Sequence, residues 1–222
     1  MKVAVISANL GGYDAVAPWP TSVVSADVTV DVHRLDDRSF PGRDLAMTSR
    51  LKCGIPKWFG WELFPGYDLY LWVDASRAIT PETVQWFLDR IGTADLLAFL
   101  HPERQTIEAE YAFVKARLAR AGETYLTSRY EGEWLDAQYA AVCRPWYVDN
   151  RLYATTAFLY RPTLAVRRAF QDVFLHKARY LLHDQLSFPF LLREHKVHVR
   201  ELTENVYTVP VLPITRQKRG RR

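Results

Sequence analysis

Short apolar segments alternate with amphipathic ones along this chain of 222 residues, and that alternation limits the fold more than any other feature. The pattern predicts strands over residues 2–8, 28–35, 95–100, 153–160 and 206–212, with a further buried strand that ends at Asp74. It predicts helices over residues 43–53, 81–91, 104–121, 133–142, 164–175 and 184–193. Strands that alternate with helices favour a mostly parallel central sheet flanked by helices, so the predicted fold class is α/β.

The length and the hydrophobic fraction of 49% fit one globular domain with a full core, which we expect to span residues 1–213. No apolar run reaches the ~20 residues that a membrane helix needs, so no membrane span is expected. The first residues form a strand rather than a signal peptide. Cys53 and Cys143, the only cysteines, are predicted to be reduced core thiols, which points to the cytoplasm.

The formal net charge is +4, and much of it lies in a basic C-terminal tail at residues 214–222. Five of the last seven residues are basic: Arg216, Lys218, Arg219, Arg221 and Arg222. Two interpretations are open for this tail, a solvated end or an arm that contacts an anionic partner such as nucleic acid or acidic lipid. The rest of the chain is close to neutral and lacks the charge typical of a nucleic-acid-binding surface.

Asp74 directly follows the apolar segment at residues 67–73. In open α/β sheets, ligands bind in the crevice beyond the carboxyl ends of the strands. Carboxylate oxygens suit Mg²⁺ and Mn²⁺, so Asp74 is well placed to hold a divalent cation and, through it, a diphosphate. The alternative is an aspartate that ends the strand and caps the next turn.

The loop after the first strand, at residues 9–14, contains Gly11 and Gly12, which let the backbone approach a ligand closely or simply form a turn. The loop has neither the Gly-x-Gly-x-x-Gly spacing of a dinucleotide site nor the lysine of a P-loop. Asp36 and Asp37 end the second strand, where they can accept hydrogen bonds from a ribose or a base edge, or close a turn.

Cations come shortly before the strand that ends at Asp74. Arg50, Lys52 and Lys57 are candidates to neutralise a diphosphate, and the alternative is a solvated helix face. His101 and Arg104 follow another predicted strand, so His101 is a candidate metal ligand or oxyanion donor, or else a buried structural histidine. Arg104 has the helical spacing to pair with Glu108.

Asp184 opens the helix predicted at residues 184–193, as either a helix cap or a pocket-facing carboxylate. With Glu110 it is a candidate for the base that an acceptor hydroxyl would need. The chain has no Ser-His-Asp order, Cys-x-x-Cys pair or His-Glu-x-x-His helix, which removes support for classical hydrolases and zinc enzymes.

The order of these motifs resembles a glycosyltransferase-like family, long described as a domain of unknown function, with plant mucilage-pectin, bacterial and phage members. The resemblance covers residues 1 to about 200. Its most specific strings are Trp72-Val73-Asp74 and Asp184-Gln185-Leu186-Ser187-Phe188-Pro189, joined by His101-Pro102-Glu103-Arg104 and Gln138-Tyr139. It implies a GT-A fold, in which a Rossmann-like domain binds a nucleotide sugar and an Asp-x-Asp motif holds a divalent metal.

The resemblance implies a glycosyltransferase that uses a nucleoside-diphosphate sugar, assisted by Mn²⁺ or Mg²⁺ on Asp74. The chain departs from a full Asp-x-Asp, because Trp72 or Ser76 stands where the other aspartate would be. Asp184, Glu110 and His101 are the expected catalytic residues. We expect the donor to contact Asn9, Gly11, Gly12, Tyr13, Asp36, Asp37, Arg50, Lys52, Trp72, Arg104 and Gln185.

Three kinds of acceptor fit this interpretation: a glycan, a small molecule or a modified base in DNA, which would have to be exposed or flipped. A module that binds sugar nucleotides or glycans without catalysis is the alternative from another functional class. The incomplete Asp-x-Asp favours such a module, whereas the polar residues kept at the strand ends favour an enzyme. The sequence leaves the oligomeric state open.

Overall fold

The computed structural model describes residues 1–12, 19, 22–25, 27–40, 46–123 and 125–214, which form a seven-stranded sheet with helices around it. The strands are β1 (Lys2–Asn9), β2 (Ser22–Ser25), β3 (Val28–Asp36), β4 (Leu69–Val73), β5 (Leu96–Leu100), β6 (Tyr153–Tyr160) and β7 (Val199–Leu202). Their order across the sheet is β2-β3-β1-β4-β6-β5-β7. Five strands share one direction, while β2 and β6 run against their neighbours. The α/β class and the mostly parallel sheet are confirmed.

The helices are α1 (Ser49–Trp58), α2 (Gly60–Leu63), α3 (Pro81–Ile91), α4 (Ile107–Leu118), α5 (Thr127–Tyr130), α6 (Leu135–Val142), α7 (Leu164–Arg179) and α8 (Phe188–Glu194), with a 3-10 turn at Asp184–Leu186. Proline opens α3 at the first helical position, as the sequence predicts. Threonine side chains cap α1 and α4 by accepting from the backbone amides of Leu51 and Ala109. Among the described residues, none of the helices has the length and apolar character that crossing a bilayer requires.

Several predicted boundaries were wrong. The helix predicted at residues 43–53 is α1, which begins at Ser49; residues 41–45 lie outside the described part of the chain. The strands β2 and β7 and the short helices α2 and α5 were not predicted. The predicted strand at residues 206–212 is instead a series of turns, because Val206, Val209 and Leu212 reach the core at a spacing of three rather than two.

The two faces of the sheet carry separate apolar cores. Along β4, Tyr70 and Trp72 face one core while Leu69, Leu71 and Val73 face the other. On the first face, the fully buried Trp58 ring stacks on Phe158 at a centroid distance of 5.3 Å and also contacts Phe170 and Phe188. This aromatic cluster fixes the end of α1 against β6 and α7, and so fixes the neighbouring residue, Lys57.

Both cysteines are free. Cys53 is half-buried, but Cys143 is exposed, so the prediction that both are core thiols was wrong for Cys143.

Candidate active site

A cleft of about 960 Å³ lies beyond the carboxyl ends of β1, β4 and β5. Eleven residues singled out from the sequence line it: Asn9, Gly11, Arg50, Lys57, Trp72, Asp74, His101, Arg104, Glu110, Asp184 and Gln185. A second cavity, of about 710 Å³ and lined by Trp61, Tyr67 and Arg167 among others, contains none of the predicted site residues. The first cleft is therefore the candidate active site, at the edge of the sheet where α/β proteins bind ligands.

Asp74 lies at the floor of the cleft, directly after β4. The indole N–H of Trp72 donates to Asp74 Oδ1 over 2.8 Å, and the Lys57 ammonium lies 3.9 Å from the same oxygen. Burial raises the pKa of the Asp74 carboxyl above its ordinary value, against the opposing effects of Lys57 and the indole. The side chain is still 38% exposed, so this carboxyl is open to a ligand.

Asp184 is almost fully buried and pairs with two lysines. Lys57 Nζ donates to Asp184 Oδ2 over 2.7 Å, and Lys177 Nζ lies 2.6 Å from Asp184 Oδ1. Burial by itself would raise the pKa of Asp184, but the two ammonium groups outweigh it and hold the pKa well below its usual range. The side chain thus lines the cleft within an ion-pair network and does not cap the helix, and its catalytic role stays a prediction.

Lys57 contacts more residues of this network than Lys177 does. Besides Asp184, its ammonium donates to Thr155 Oγ1 over 3.2 Å. Burial tends to lower the pKa of Lys57, but the charges of Asp184 and Asp74 dominate and raise it. Lys57 therefore stays charged although it is buried.

Glu110 forms a second buried network with Arg104 and His183. Its carboxylate accepts from Arg104 Nε and is 2.8 Å from His183 Nε2, while the other ring nitrogen of His183 is 2.9 Å from the Tyr130 hydroxyl. Burial opposes ionisation, but His183 and Arg104 together lower the pKa of Glu110 to about 2. Arg104 pairs with Glu110 and Glu103 instead of Glu108, the partner suggested by helical spacing.

His101 is positioned as a hydrogen-bond donor to the cleft. Its Nδ1 accepts from the backbone N–H groups of Glu103 and Arg104, over 3.2 and 3.1 Å. Burial lowers the pKa of His101, so the ring is neutral and its proton lies on Nε2. Because Nε2 and Arg104 Nη2, 3.2 Å apart, both carry hydrogen, each needs an acceptor elsewhere.

The loop after β1 is held closely against α1. Both carboxylate oxygens of Asp37 accept from the backbone N–H of Gly11, over 3.1 and 2.9 Å. Gly11 has a φ of +74°, and a Cβ there would lie 2.8 Å from Ser49 Oγ, so this position requires glycine. Asp36 closes its own turn by accepting from the backbone N–H groups of Arg38 and Ser39.

Four of the predicted donor contacts are not among the residues that line the cleft: Gly12, Asp36, Asp37 and Lys52. Lys52 is buried, and its ammonium lies 5.7 Å from the Phe40 ring. Tyr13 lies outside the described residues. These positions stay predictions as donor contacts.

The sequence analysis did not single out Lys177, Thr155 or Tyr130, although all three line the cleft. Lys177 lies in the last turn of α7, where basic residues commonly offset the helix dipole, so its position alone gave no signal of a site. Lys177 also lies two residues beyond residue 175, where the sequence predicted that this helix ends.

The side chains around Asp74 do not suit a divalent metal. A metal would have to share this carboxylate with the Lys57 ammonium, and Oδ1 already accepts from Trp72. Within the described part of the chain, no group of three or more His, Cys, Asp or Glu side chains is arranged to hold a metal ion. Mg²⁺ is usually held by one or two carboxylates together with substrate phosphates, and the carboxylate predicted for it here, Asp74, already contacts Lys57 and Trp72.

No protein-family model and no curated protein matches the chain. Solved structures similar to it include a glycosyltransferase involved in glycosylation of the major capsid of PBCV-1 (11% identity, 93% of this chain and 82% of that chain, TM-score 0.44). Mouse xyloside xylosyltransferase 1 in its apo form has 9% identity, coverage of 91% and 85%, and a TM-score of 0.45. Glucosyl-3-phosphoglycerate synthase from Mycobacterium tuberculosis, in complex with Mg²⁺ and uridine diphosphate, has 11% identity, coverage of 100% and 72%, and a TM-score of 0.37. These values are too low to assign a substrate or a mechanism to this chain.

Proposed function

We propose that the chain is a glycosyltransferase that moves a sugar from a nucleoside-diphosphate donor to an acceptor hydroxyl, with the cleft as its donor site. The observation that carries this proposal is the convergence of Asp74, Arg104 and the Asp184-Gln185 pair on one cleft. These residues come from distant parts of the chain, and they belong to the strings that resemble the glycosyltransferase-like family.

The charges in the cleft suit the chemistry of sugar transfer. As the bond from the sugar to the diphosphate breaks, negative charge grows on the leaving group, and fixed donors stabilise that charge. Arg50, Arg104 and Lys177 line the cleft, and the neutral His101 ring adds an N–H donor. These groups are positioned before a ligand binds, because Glu110 and Asp184 hold Arg104 and Lys177 by ion pairs.

An inverting transfer also needs a base for the acceptor hydroxyl, and we propose Asp74 for that role. A base works best when its pKa is near the pH of the reaction. The pKa values of Glu110 and Asp184 are strongly lowered, and both side chains are buried in ion pairs. Asp74 has a raised pKa, and its side chain is partly exposed to the cleft. His101 has no ring nitrogen left to accept a proton, because Nδ1 already accepts from two backbone amides and Nε2 carries a hydrogen.

Binding without catalysis is the second candidate, favoured by the incomplete Asp-x-Asp motif around Asp74. The acceptor stays a prediction, as a glycan, a small molecule or a modified DNA base. So do the cytoplasmic location and the role of the basic tail, whose residues 215–222 lie outside the described residues.

A thermal-shift screen of nucleotide sugars tests donor binding. A ligand that binds only the folded state stabilises it by about 2.7 kcal/mol at 100 times its dissociation constant. We expect at least one nucleotide sugar to raise the melting temperature, while the same sugars without nucleotide do not. If no nucleotide sugar shifts the melting temperature, with or without Mn²⁺, the proposed function is wrong. Binding without release of nucleoside diphosphate would favour the binding module.

A further inference from the structure

Two buried ammonium groups share one carboxylate at the floor of the cleft. Lys57 and Lys177 contact opposite oxygens of Asp184, and their side chains are 9% and 7% exposed. One carboxylate balances one of the two charges, and Asp74 contacts Lys57 from 3.9 Å. The two ammonium groups therefore bring two positive charges next to two carboxylates, as many charges as one divalent ion would bring.

Lys177 has hydrogen-bonding capacity that the described residues do not use. An ammonium group carries three N–H donors, and among the described residues Lys177 has one ion-pair partner, Asp184. Buried donors are nearly always paired, with protein, water or ligand. Because Lys177 lines the cleft, its remaining donors are available to a ligand there.

We propose that Lys57 and Lys177 supply the positive charge that a divalent metal would otherwise bring to a diphosphate, so that diphosphate binding in this cleft needs no metal. Lys177 contacts the phosphate oxygens, and Lys57 offsets Asp74 and Asp184 next to them. This inference rests on the proposed function, because it takes the cleft to be a nucleoside-diphosphate site.

The surroundings of Asp74 favour an anion over a second cation. A divalent ion on Asp74 would lie close to the Lys57 ammonium, and like charges this close repel strongly where water is excluded. An anion in the cleft would instead be attracted, because basic side chains outnumber acidic ones in the lining. The basic residues there are Arg50, Lys57, Arg77, Arg104, Arg129 and Lys177, and the acidic ones are Asp74, Glu110, Glu131, Glu133 and Asp184.

The test is calorimetric titration of the whole chain with inorganic pyrophosphate, in EDTA and separately in Mn²⁺. Four proteins are compared: wild type, Lys177→Met, Lys177→Arg and the control Lys115→Met. Lys115 is an exposed lysine paired with Asp136, away from the cleft. In Lys177→Met, Asp184 keeps its ion pair with Lys57. Lys177→Arg keeps the positive charge, so it tests the role of that charge even if Lys177→Met folds poorly.

We expect wild type to bind pyrophosphate in EDTA, and Lys177→Met to bind at least about tenfold more weakly, the loss of one charged hydrogen bond. Lys177→Arg and Lys115→Met should bind nearly as wild type does. If wild type binds only when Mn²⁺ is present, the inference is wrong but the proposed function stands. Equal binding by wild type and Lys177→Met in EDTA also overturns it. No binding in either buffer overturns the inference and removes support for the donor site as well.

Discussion

Lys57 and Asp184 are 127 positions apart in the chain, yet Lys57 Nζ donates to Asp184 Oδ2 over 2.7 Å. Thr155 Oγ1, from β6, lies 3.2 Å from the same ammonium. The contact joins α1, β6 and the 3-10 turn before α8 at the floor of the cleft. Residues that line the proposed donor site therefore also hold the fold together there.

The first prediction concerns this shared carboxylate. Asp184→Asn leaves two buried ammonium groups without their main counter-charge, and breaking a buried pair in this way typically costs about 3–5 kcal/mol. Lys177→Met should lower the free energy of unfolding by less, because Lys57 still balances the charge of Asp184. Urea unfolding of both variants measures the two costs. If Lys177→Met is as destabilising as Asp184→Asn, the carboxylate is not shared as the distances indicate.

The second prediction separates two roles for Asp74. As the base, Asp74→Asn should lower kcat by about 100-fold or more while donor affinity changes little, since removal of a general base affects the chemical step. As a metal ligand, the same change should weaken donor binding. Steady-state kinetics and calorimetry with the preferred nucleotide sugar decide between them. A variant that binds and turns over donor normally would leave Asp74 as a structural residue.

The third prediction concerns acid stability. The pKa of Glu110 falls from 4.5 in the unfolded chain to about 2 in the folded protein. A lowered carboxyl pKa contributes stability above the unfolded pKa, and that stability is lost as the pH falls through the folded pKa. Ionised Glu110 should therefore add about 3 kcal/mol to the free energy of unfolding, and this contribution should disappear between roughly pH 4.5 and 2. Urea unfolding at a series of pH values should show a shallower acid loss for Glu110→Gln than for wild type; identical pH slopes would contradict the prediction.

The fourth prediction compares two neighbouring glycines. Gly11 and Gly12 have φ values of +74° and +60°, so alanine at either position pays for a left-handed backbone, about 1–2 kcal/mol. A Cβ on Gly11 would also lie 2.8 Å from Ser49 Oγ, whereas one on Gly12 would meet no atom of the described residues within 4 Å. Gly11→Ala should thus lower the free energy of unfolding more than Gly12→Ala does. Equal losses would mean that Ser49 moves aside freely.

Local sequence pattern predicts those parts of the site in which a polar residue directly follows a strand or a proline begins a helix. The apolar strand β4 and the carboxylate after it were readable from sequence, as were Pro81 at the start of α3 and His101 and Arg104 after β5. Parallel strands bring their carboxyl ends to one edge, so sequence order was enough to expect these side chains in one cleft.

The ion pairs were not predictable in the same way. Lys57 was noted as a candidate phosphate contact and Asp184 as a base or cap, but nothing local indicates that they pair, because the pairing depends on how α1 packs against β6 and α7. The edge strands β2 and β7 have four residues each, too few to show a clear alternation. Residues 206–212 are apolar and rich in β-branched types, so they resembled a strand although their buried residues follow the spacing of turns.

Release of nucleoside diphosphate from a panel of nucleotide sugars, measured for wild type and for variants of the cleft, is the most direct test of the proposed donor site. We predict that wild type releases nucleoside diphosphate from at least one donor in EDTA. Asp74→Asn should reduce that release by about 100-fold or more and Lys177→Met by about tenfold or more, whereas Lys115→Met should not reduce it. Failure of every donor both in EDTA and in Mn²⁺, or release that neither cleft variant diminishes, would contradict the assignment of this cleft as the active site of a glycosyltransferase.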